Sequence, residues 1–185
     1  MSNHVCPWWL GYFLASPIRK WGQNPEHILS PYLKEGMVAL DIGSGMGFFT
    51  LPMAKLVGSG GHVIAVDLQE KMIRSLKRRA NKTGMSDRIA YRICGDHSLG
   101  IDDLAGKIDF ALAFAVLHEM PDIRTALASI AGSLKPDGKL LIAEPSGHVK
   151  EADFDKTMAI ARDCGLTLLE SPTIRRCRAA VMTRR

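Results

Sequence analysis

The stretch that decides the fold is VALDIGSGMGFFT, residues 38 to 50, in which an apolar strand runs into a glycine-rich turn and then a helix. The turn reads Asp-x-Gly-x-Gly-x-Gly from Asp41 to Gly47. Glycines at such a junction let the backbone turn sharply and let a ligand approach main-chain atoms closely. The dinucleotide fingerprint G-x-G-x-x-G needs a glycine where this chain has Phe48, and the phosphate-binding G-x-x-x-x-G-K-[ST] is absent. The loop therefore suits a nucleoside without a pyrophosphate, and a nicotinamide dehydrogenase is disfavoured.

Short apolar runs alternate with helical patterns along the rest of the chain. Strands are predicted over 37–42, 62–66, 88–93, 109–116, 139–143, 166–170 and 175–182, and helices over 48–57, 69–82, 123–134 and 153–164, with another starting at Asn24-Pro25. Continuous apolar runs are typical of strands buried on both faces, and the alternation predicts a parallel sheet. The turn Ser171-Pro172-Thr173 is too short for a crossover, so the last two strands are predicted to be antiparallel. The predicted fold class is α/β, with a seven-stranded, mostly parallel sheet and a C-terminal antiparallel hairpin.

Three predicted strands end at or near an acidic residue: Asp41, Asp67 and Asp96. Asp67 stands 20 residues after Gly47, where a carboxylate can accept hydrogen bonds from both hydroxyls of a ribose. Ligands of open α/β sheets bind at the carboxyl ends of the strands. The three acids are therefore predicted to line one crevice.

Composition adds weaker constraints. The 185 residues carry a net charge of +5 and fit a single domain. The four cysteines form no C-x-x-C pair, so neither a disulfide framework nor a metal site is expected. The most apolar run, residues 5 to 18, contains two prolines and is too short to span a bilayer. We therefore expect a cytoplasmic protein without a transmembrane segment.

Five stretches of the chain together resemble the class I S-adenosylmethionine-dependent methyltransferases, and within them the type 11, ubiquinone/menaquinone-biosynthesis-like group. The matching stretches are VALDIGSGMGFFT (38–50), VIAVDLQEKMI (63–73), CGDHSLG (94–100), IDFALAFAVLHEMPD (108–122) and LKPDGKLLIAEP (134–145). The resemblance implies a Rossmann-like three-layer sandwich and an enzyme. It also implies S-adenosylmethionine as cofactor, with S-adenosylhomocysteine as product.

The resemblance further implies which residues bind the cofactor. They are Asp41, Gly43, Ser44, Gly45, Asp67, Leu68, Asp96, His97, Ala113 and Phe114. The glycine loop would face the methionine part and the ribose, and Asp41 would reach the amino group. Asp67 would hold the ribose hydroxyls, and Asp96 would accept from the adenine amino group. The end of the fourth strand would lie near the sulfonium.

Catalysis by such an enzyme rests mainly on proximity and orientation, because a sulfonium is already a good leaving group. A general base is needed only if the nucleophile carries a proton that must leave. The candidates are His118 and Glu119, just past the fourth strand, and Glu144 after the fifth. More remote candidates are His4 and Cys6, in the aromatic segment near the start of the sequence. For His118, a structural hydrogen bond is the alternative interpretation.

The acceptor is not identified by these motifs. In the family that the chain resembles, an insertion after the fifth strand often forms the acceptor pocket. Here only about ten residues follow that strand before the next helix, so the resemblance implies that residues 1–35 form a lid over a core of residues 36–185. Aromatic residues of that segment could form an apolar pocket wall: Trp8, Trp9, Tyr12, Phe13 and Trp21. The alternative is a helix whose aromatics pad the core. The expected partner is a small apolar or aromatic molecule.

The sequence also bears on nucleic-acid partners and on other classes of protein. Methyltransferases that act on amino groups of nucleic-acid bases usually have Asn/Asp-Pro-Pro-aromatic after the fourth strand. Here that place reads Phe114-Ala115-Val116-Leu117, so no DNA partner is expected. An RNA-directed methyltransferase using the basic helix around Arg74 and Arg79 is an alternative. A cofactor-binding regulatory protein without catalysis is another, and a homodimer is left open.

Overall fold

Strands and helices alternate between residues 23 and 184, the part of the chain that the computed structural model describes. These residues fall into two compact units, one ending at Cys94 and the other beginning at Gly95. The first described helix, α1 (Pro25–Leu29), is capped by Asn24, whose side chain accepts a hydrogen bond from the backbone N–H of Glu26 at 3.1 Å. The helix start predicted at Asn24-Pro25 is confirmed. The aromatic part of the predicted lid, residues 1–22, lies outside the described residues.

The first unit is a three-stranded parallel sheet with its connecting helices. Its further elements are β1 (Val38–Ile42), α2 (Thr50–Leu56), β2 (His62–Asp67), α3 (Glu70–Lys82) and β3 (Ile89–Ile93). The strand order is β3-β2-β1, and all pairs are parallel. Nearly all of β1 and β2 is buried, as predicted from their apolar runs. The same prediction is wrong for β3, whose last residue, Ile93, is 56% exposed, because β3 is an edge strand of the sheet.

The second unit contains the antiparallel part of the fold. Its elements are β4 (Ile108–Phe114), α4 (Ile123–Ser133), β5 (Leu134–Pro145), α5 (Glu151–Asp163), β6 (Leu166–Glu170) and β7 (Cys177–Arg184). The strand order is β4-β5-β7-β6. Strands β4 and β5 are parallel, and β7 is antiparallel to both of its neighbours.

Strand β5 begins five residues earlier than the sequence predicts. The predicted turn at residues 135–138 was expected to precede a strand that starts at Lys139, whereas the strand already starts at Leu134. Leu134 pairs with Ile108, and the next pair joins Lys139 to Phe110. Residues 135–138 therefore form a bulge inside the strand, and not the turn before it.

The bulge depends on two residues that tolerate unusual backbone geometry. Asp137 has φ +62°, in the left-handed region that aspartate adopts more readily than most residues. A Cβ atom added to Gly138 would lie 2.8 Å from the carbonyl oxygen of Lys135 and 2.9 Å from that of Ile108. The turn residues in the sequence therefore do mark unusual backbone geometry, but the pairing with β4 places that geometry inside β5.

The C-terminal antiparallel pair is confirmed, with a longer connection than predicted. Residues 171–176 join the strands, because β7 begins at Cys177 rather than at residue 175. Arg176 has φ +58°, and the backbone N–H of Cys177 donates to the carbonyl of Ile174 at 3.0 Å. This tight turn prevents pairing before Cys177.

The described residues contain seven strands, which form a mostly parallel sheet with antiparallel C-terminal strands and flanking helices. The predicted α/β fold class is confirmed. Among residues 23–184, no helix combines the length and the apolar character that crossing a bilayer requires.

Candidate functional site

The loop between β1 and α2 is tied to the end of β2. The backbone N–H of Gly45 donates to Oδ2 of Asp67 at 2.8 Å. The N–H groups of Gly43 and Ser44 both donate to the carbonyl of Val66, at 2.9 and 3.0 Å. The first unit therefore brings together the glycine loop and the acid that the sequence assigns to the ribose.

Two glycines of the loop are needed for different reasons. Gly47 has φ +86°, and a Cβ atom there would collide with the side chain of Leu76 in α3. Gly45 has φ +54°, but apart from its two chain neighbours no heavy atom of the described chain lies within 4 Å of the place that its Cβ would take. Gly47 is thus required by packing as well as by conformation, while the space beside Gly45 is open to a ligand.

The hydroxyl of Ser44 is buried, and its Oγ atom has no hydrogen-bond partner within residues 23–184. Leaving a buried polar group unsatisfied costs about 1–3 kcal/mol. Such an atom calls for an explanation, and a bound ligand or water is a common one. A ligand with polar groups at the loop would satisfy Ser44.

Asp41, near the end of β1, is almost fully buried. Its Oδ2 atom accepts a hydrogen bond of 2.5 Å from the hydroxyl of Thr50, the first residue of α2. Burial raises the pKa of Asp41 to about 7; the hydrogen bond from Thr50 opposes the rise, and the negative charge of Asp67 adds to it. Near neutral pH the carboxyl group therefore exists in both forms, and a neighbouring cation would favour the charged form.

Asp67 uses both carboxylate oxygens within its own unit. Oδ1 accepts from the backbone N–H of Gln69 at 2.8 Å, and Oδ2 from that of Gly45. Burial raises the pKa of Asp67, and these two hydrogen bonds oppose the rise. Each oxygen of a carboxylate can accept a further hydrogen bond, so the group still has capacity for ligand hydroxyls. Leu68 follows directly and is partly exposed.

Helix α3 also contacts the glycine loop. Nη1 of Arg79 donates to the carbonyl of Met46 at 2.5 Å, and burial lowers the pKa of Arg79. Arg74 forms an exposed ion pair of 2.7 Å with Glu70. Two cations of the predicted basic helix thus contact groups of the protein itself. The i, i+4 spacing of Glu70 and Arg74 could have indicated their ion pair from the sequence, whereas no local pattern indicates the contact of Arg79 with the loop.

The remaining predicted cofactor residues lie in the second unit. Asp96 and His97 occupy the middle of a turn that the backbone N–H of Gly95 closes by donating to the carbonyl of Ser98 at 3.0 Å, and both are exposed. Ala113 and Phe114 are the last residues of β4 and are buried. Asp96 and His97 thus follow β3, and Ala113 and Phe114 end β4. The role of all four residues in cofactor binding stays a prediction.

The chain turns sharply after β4. Ala115 has φ +55°, and its N–H donates to the carbonyl of Ala143 at 2.7 Å. For an alanine the left-handed region costs about 1–2 kcal/mol, so the surrounding contacts must hold the turn in place. A short 3-10 turn, Leu117–Glu119, follows.

This turn delivers two successive residues to Glu144 near the end of β5. The backbone N–H of Leu117 donates to Oε1 of Glu144 at 2.9 Å, and Nδ1 of His118 lies 2.5 Å from Oε2. The Glu144 side chain is only 2% exposed. The structure therefore brings three of the predicted candidates for a general base, His118, Glu119 and Glu144, into one cluster, while His4 and Cys6 lie outside the described residues.

The electrostatics of the cluster favour a charged His118. The hydrogen bond to Glu144 raises the pKa of His118, burial opposes this, and the negative charges of Glu144 and Glu119 add to the rise. Nε2 of His118 lies 4.0 Å from Oε1 of Glu119. The ring of His148 stacks on that of His118, with centroids 6.3 Å apart. His148 was not predicted, and its position in the loop after β5 was the only signal for it.

No group of three or more His, Cys, Asp or Glu side chains among residues 23–184 is arranged to hold a metal ion.

The fold and the glycine loop define the class as a Rossmann-like α/β protein. Residues 33–170 match the family model described as a methyltransferase domain. The chain belongs to this methyltransferase family. The solved structure of a SAM-dependent methyltransferase from Aquifex aeolicus superposes with a TM-score of 0.85 over 97% of this chain and 98% of the other, at 23% identity, which shows a shared fold.

Curated relatives match a shorter region. The chain is 32% identical over 114 residues to nocamycin O-methyltransferase of Saccharothrix syringae, covering 60% of this chain and 39% of that protein. It is 30% identical over 112 residues to the ubiquinone/menaquinone biosynthesis C-methyltransferase of Pasteurella multocida, covering 60% and 41%. The chain thus spans about two fifths of the length of these two relatives. The predicted class, with S-adenosylmethionine as its cofactor, is confirmed at the level of the family.

Proposed function

We propose that this protein transfers the methyl group of S-adenosylmethionine to a small apolar or aromatic acceptor. The observation that carries the proposal is the glycine loop, with the partnerless buried hydroxyl of Ser44 and the open space beside Gly45. A nucleoside with an amino acid side chain fits this loop, since it offers polar groups to Ser44 and needs close approach to the main chain. Two curated relatives are named as methyltransferases of small molecules, which supports a small acceptor.

The two buried acids of the first unit suit opposite ends of that cofactor. Asp67 would accept hydrogen bonds from the ribose hydroxyls through the capacity left on its two oxygens. Asp41 would face the amino group, whose positive charge would favour the ionised carboxylate. Leu68 would pack beside the adenine.

The resemblance also implies roles for four residues of the second unit. Asp96 would accept from the adenine amino group, with His97 beside it. Ala113 and Phe114 would border the methyl group that is transferred. The bound cofactor would supply a methyl carbon activated by a sulfonium, and the protein would contribute mainly orientation.

The first test is a thermal-shift titration of the full chain with S-adenosylmethionine, S-adenosylhomocysteine and NAD. A ligand at 100 times its Kd stabilises the native state by about 2.7 kcal/mol. For a protein of this size that raises Tm by roughly 5–11 °C. We expect a shift with both sulfur nucleosides and none with NAD, and a smaller shift for Asp67→Asn. Asp87→Asn, an exposed acid of the same unit, is the matched control.

The second test measures S-adenosylhomocysteine formation with a panel of small apolar and aromatic acceptors. Turnover of a panel member supports the proposal. Cofactor binding without transfer to any acceptor would favour the regulatory alternative. Transfer to RNA with a steep salt dependence would favour the RNA-directed alternative.

A further inference from the structure

We propose that the outer edge of β3 is a docking site for an extended acidic segment of another protein, which adds to the sheet as a further strand. The inference goes beyond the proposed function and does not depend on it. It rests on three features of the first unit: main-chain groups that face outwards, exposed side chains beside them, and a surplus of positive charge around them.

Strand β3 is one of the two edge strands of the described sheet, and its pairing is the regular one. From Ile89 to Ile93 it pairs with β2 in an unbroken parallel register. The other edge strand, β6, has a register shift between Leu168 and Glu170. A bulge in an edge strand is one of the means by which proteins prevent a further strand from pairing. Within the described sheet, β3 is therefore the edge that lacks this protection.

The main-chain groups that face outwards belong to Tyr91 and Ile93. The backbone N–H of Cys94 donates to the carbonyl of Asp67 at 3.0 Å, so Cys94 faces β2. Successive residues of a strand direct their N–H and C=O groups to opposite sides, so Ile93 and Tyr91 face away from β2. No strand of the described sheet pairs with β3 on that side. These two residues are thus placed to form a hydrogen-bonded ladder with an added strand.

Side chains along this edge are open as well. Ile93 is 56% exposed, and Ala90 is exposed. Because side chains alternate between the two faces of a strand, Tyr91 and Ile93 share one face, and Ala90 and Arg92 share the other. Nζ of Lys77 in α3 lies over the ring of Tyr91, 5.9 Å from its centroid. An added strand would place an apolar side chain beside Ile93 on the face towards α3, and an acid beside Arg92 on the other.

The positive charge of the protein is concentrated around this edge. Residues 70–93, from the start of α3 to the end of β3, contain eight Lys and Arg against two acids, which is a net charge of +6. The whole chain has a net charge of +5, so all other residues together have −1. Lys77, Arg78 and Lys82 of α3 are exposed. Such a surplus attracts an acidic partner and speeds its association.

The same features disfavour two other occupants. A second copy of this chain would bring the same positive surplus against itself, and like charges across an interface oppose association. A nucleic acid would meet the cations through its phosphates, which accept hydrogen bonds only and cannot pair with the outward C=O groups. A peptide strand supplies donors and acceptors together. The edge therefore suits an acidic strand, in which acids alternate with apolar residues.

The test measures binding of a fluorescein-labelled peptide, Glu-Val-Glu-Val-Glu-Val, to the full chain by fluorescence anisotropy. We expect saturable binding that weakens as NaCl rises from about 50 to about 500 mM, because salt screens charges at a surface. The matched peptide Lys-Val-Lys-Val-Lys-Val should not bind. Amide hydrogen exchange at Tyr91 and Ile93 should slow when the glutamate peptide is bound, which would locate it on the edge of β3.

Two N-methylated versions of the glutamate peptide test the ladder itself. One has N-methyl groups on its valines and the other on its glutamates, so each lacks the N–H groups along one side of the strand. An added strand directs only one of these sets towards β3, and which one depends on whether it is parallel or antiparallel. One version should therefore bind at least about tenfold more weakly than the other. Equal affinities of the two versions would overturn strand addition.

A pair of protein variants tests the charge. Lys77→Gln should raise the Kd for the glutamate peptide about two- to fivefold, which is the range for loss of an exposed ion pair. Lys34→Gln is the matched control, because Lys34 is an exposed lysine of the same unit that precedes β1. It should leave the Kd unchanged, and the Tm of both variants shows that they are folded. Equal effects of the two substitutions would contradict a site at this edge.

The remaining outcomes also decide the proposal. If the glutamate peptide does not bind at about 50 mM NaCl, the proposal is overturned, and the positive edge only protects against edge-to-edge association. Equal binding of the lysine peptide would overturn the choice of an acidic partner. Binding of an oligouridylate that protects the same amides, with none by the glutamate peptide, would assign the edge to a nucleic acid instead. None of these results depends on the cofactor, so the proposed function is tested separately.

Discussion

Arg79, in α3, donates a hydrogen bond to the carbonyl of Met46, in the glycine loop, across 33 positions of sequence. Its guanidinium is half-buried, so the bond is shielded from water and contributes more than a surface contact would. The loop after β1 is therefore fixed from two directions, by Asp67 at the end of β2 and by Arg79 on the following helix.

Replacing Arg79 should loosen the loop and weaken cofactor binding. Arg79→Met keeps most of the apolar stem and removes the donor. Because hydrogen bonds to charged groups contribute about 1.5–3 kcal/mol, we expect a Kd for S-adenosylhomocysteine at least about tenfold higher, measured by isothermal titration calorimetry. Arg78→Met, at an exposed position of the same helix, is the control and should leave the Kd unchanged. An Arg79→Met protein with wild-type affinity would show that Asp67 alone fixes the loop.

Asp41 should make stability depend on pH. Its folded-state pKa of about 7 lies above the ordinary value of 3.8, so the native state binds the proton more tightly than the unfolded state does. This contribution to stability is complete below about pH 4 and is lost as the pH rises to about 7, at up to about 1.4 kcal/mol per pH unit. In urea titrations over that range, Asp41→Asn should show a smaller fall in unfolding free energy than the wild type. If the unfolding free energies of the two proteins fell in parallel with pH, the group that titrates would be one other than Asp41.

Asp41 should also make cofactor binding depend on pH. If its carboxylate faces the amino group of the cofactor, binding requires the ionised form, so affinity for S-adenosylhomocysteine should rise from pH 6 to pH 8 and level off above the pKa of about 7. Calorimetry in two buffers with different ionisation enthalpies should show a proton released on binding below pH 7. In Asp41→Asn both effects should vanish. A wild-type affinity that is flat with pH would remove Asp41 from the amino-group site.

The bulge in β5 should tolerate no side chain at residue 138. Gly138→Ala would place a Cβ atom within 3 Å of two carbonyl oxygens, so we expect destabilisation of about 1–3 kcal/mol in urea unfolding. Gly132→Ala is the matched opposite: Gly132 lies in α4, and no described atom lies within 4 Å of an added Cβ. That variant should gain about 0.5–1 kcal/mol, because alanine favours helix over glycine. Equal effects of the two substitutions would contradict the bulge geometry.

The first half of the site could be predicted because its signals are local. The glycine loop follows its strand directly, and Asp67 ends the next strand, so chain order alone places them at one edge. Even the helix start at Asn24-Pro25 follows from neighbouring residues. What sequence could not provide is the partner of each acid, such as Thr50 for Asp41.

The second half of the candidate site, around His118 and Glu144, depends on the register between paired strands, which local sequence patterns do not encode. His118 and Glu144 are 26 residues apart, and they meet because β4 and β5 pair with a four-residue bulge and Ala115 then turns the chain. The turn residues 135–138 were visible in the sequence, but their place inside a strand is decided by pairing across the sheet. The sequence therefore indicates which residues are candidates, and only the paired strands show which of them touch.

Glu144 binds both the main chain at Leu117 and the ring of His118. For protein engineering this makes the two members of the pair unequal. Position 118 can be randomised in a library that seeks acceptors needing no general base, because loss of His118 leaves the backbone N–H of Leu117 bonded to Glu144. Position 144 cannot, since every replacement without an acceptor oxygen also releases the turn. Among natural relatives, we expect residue 118 to vary in proteins that retain the acid at position 144.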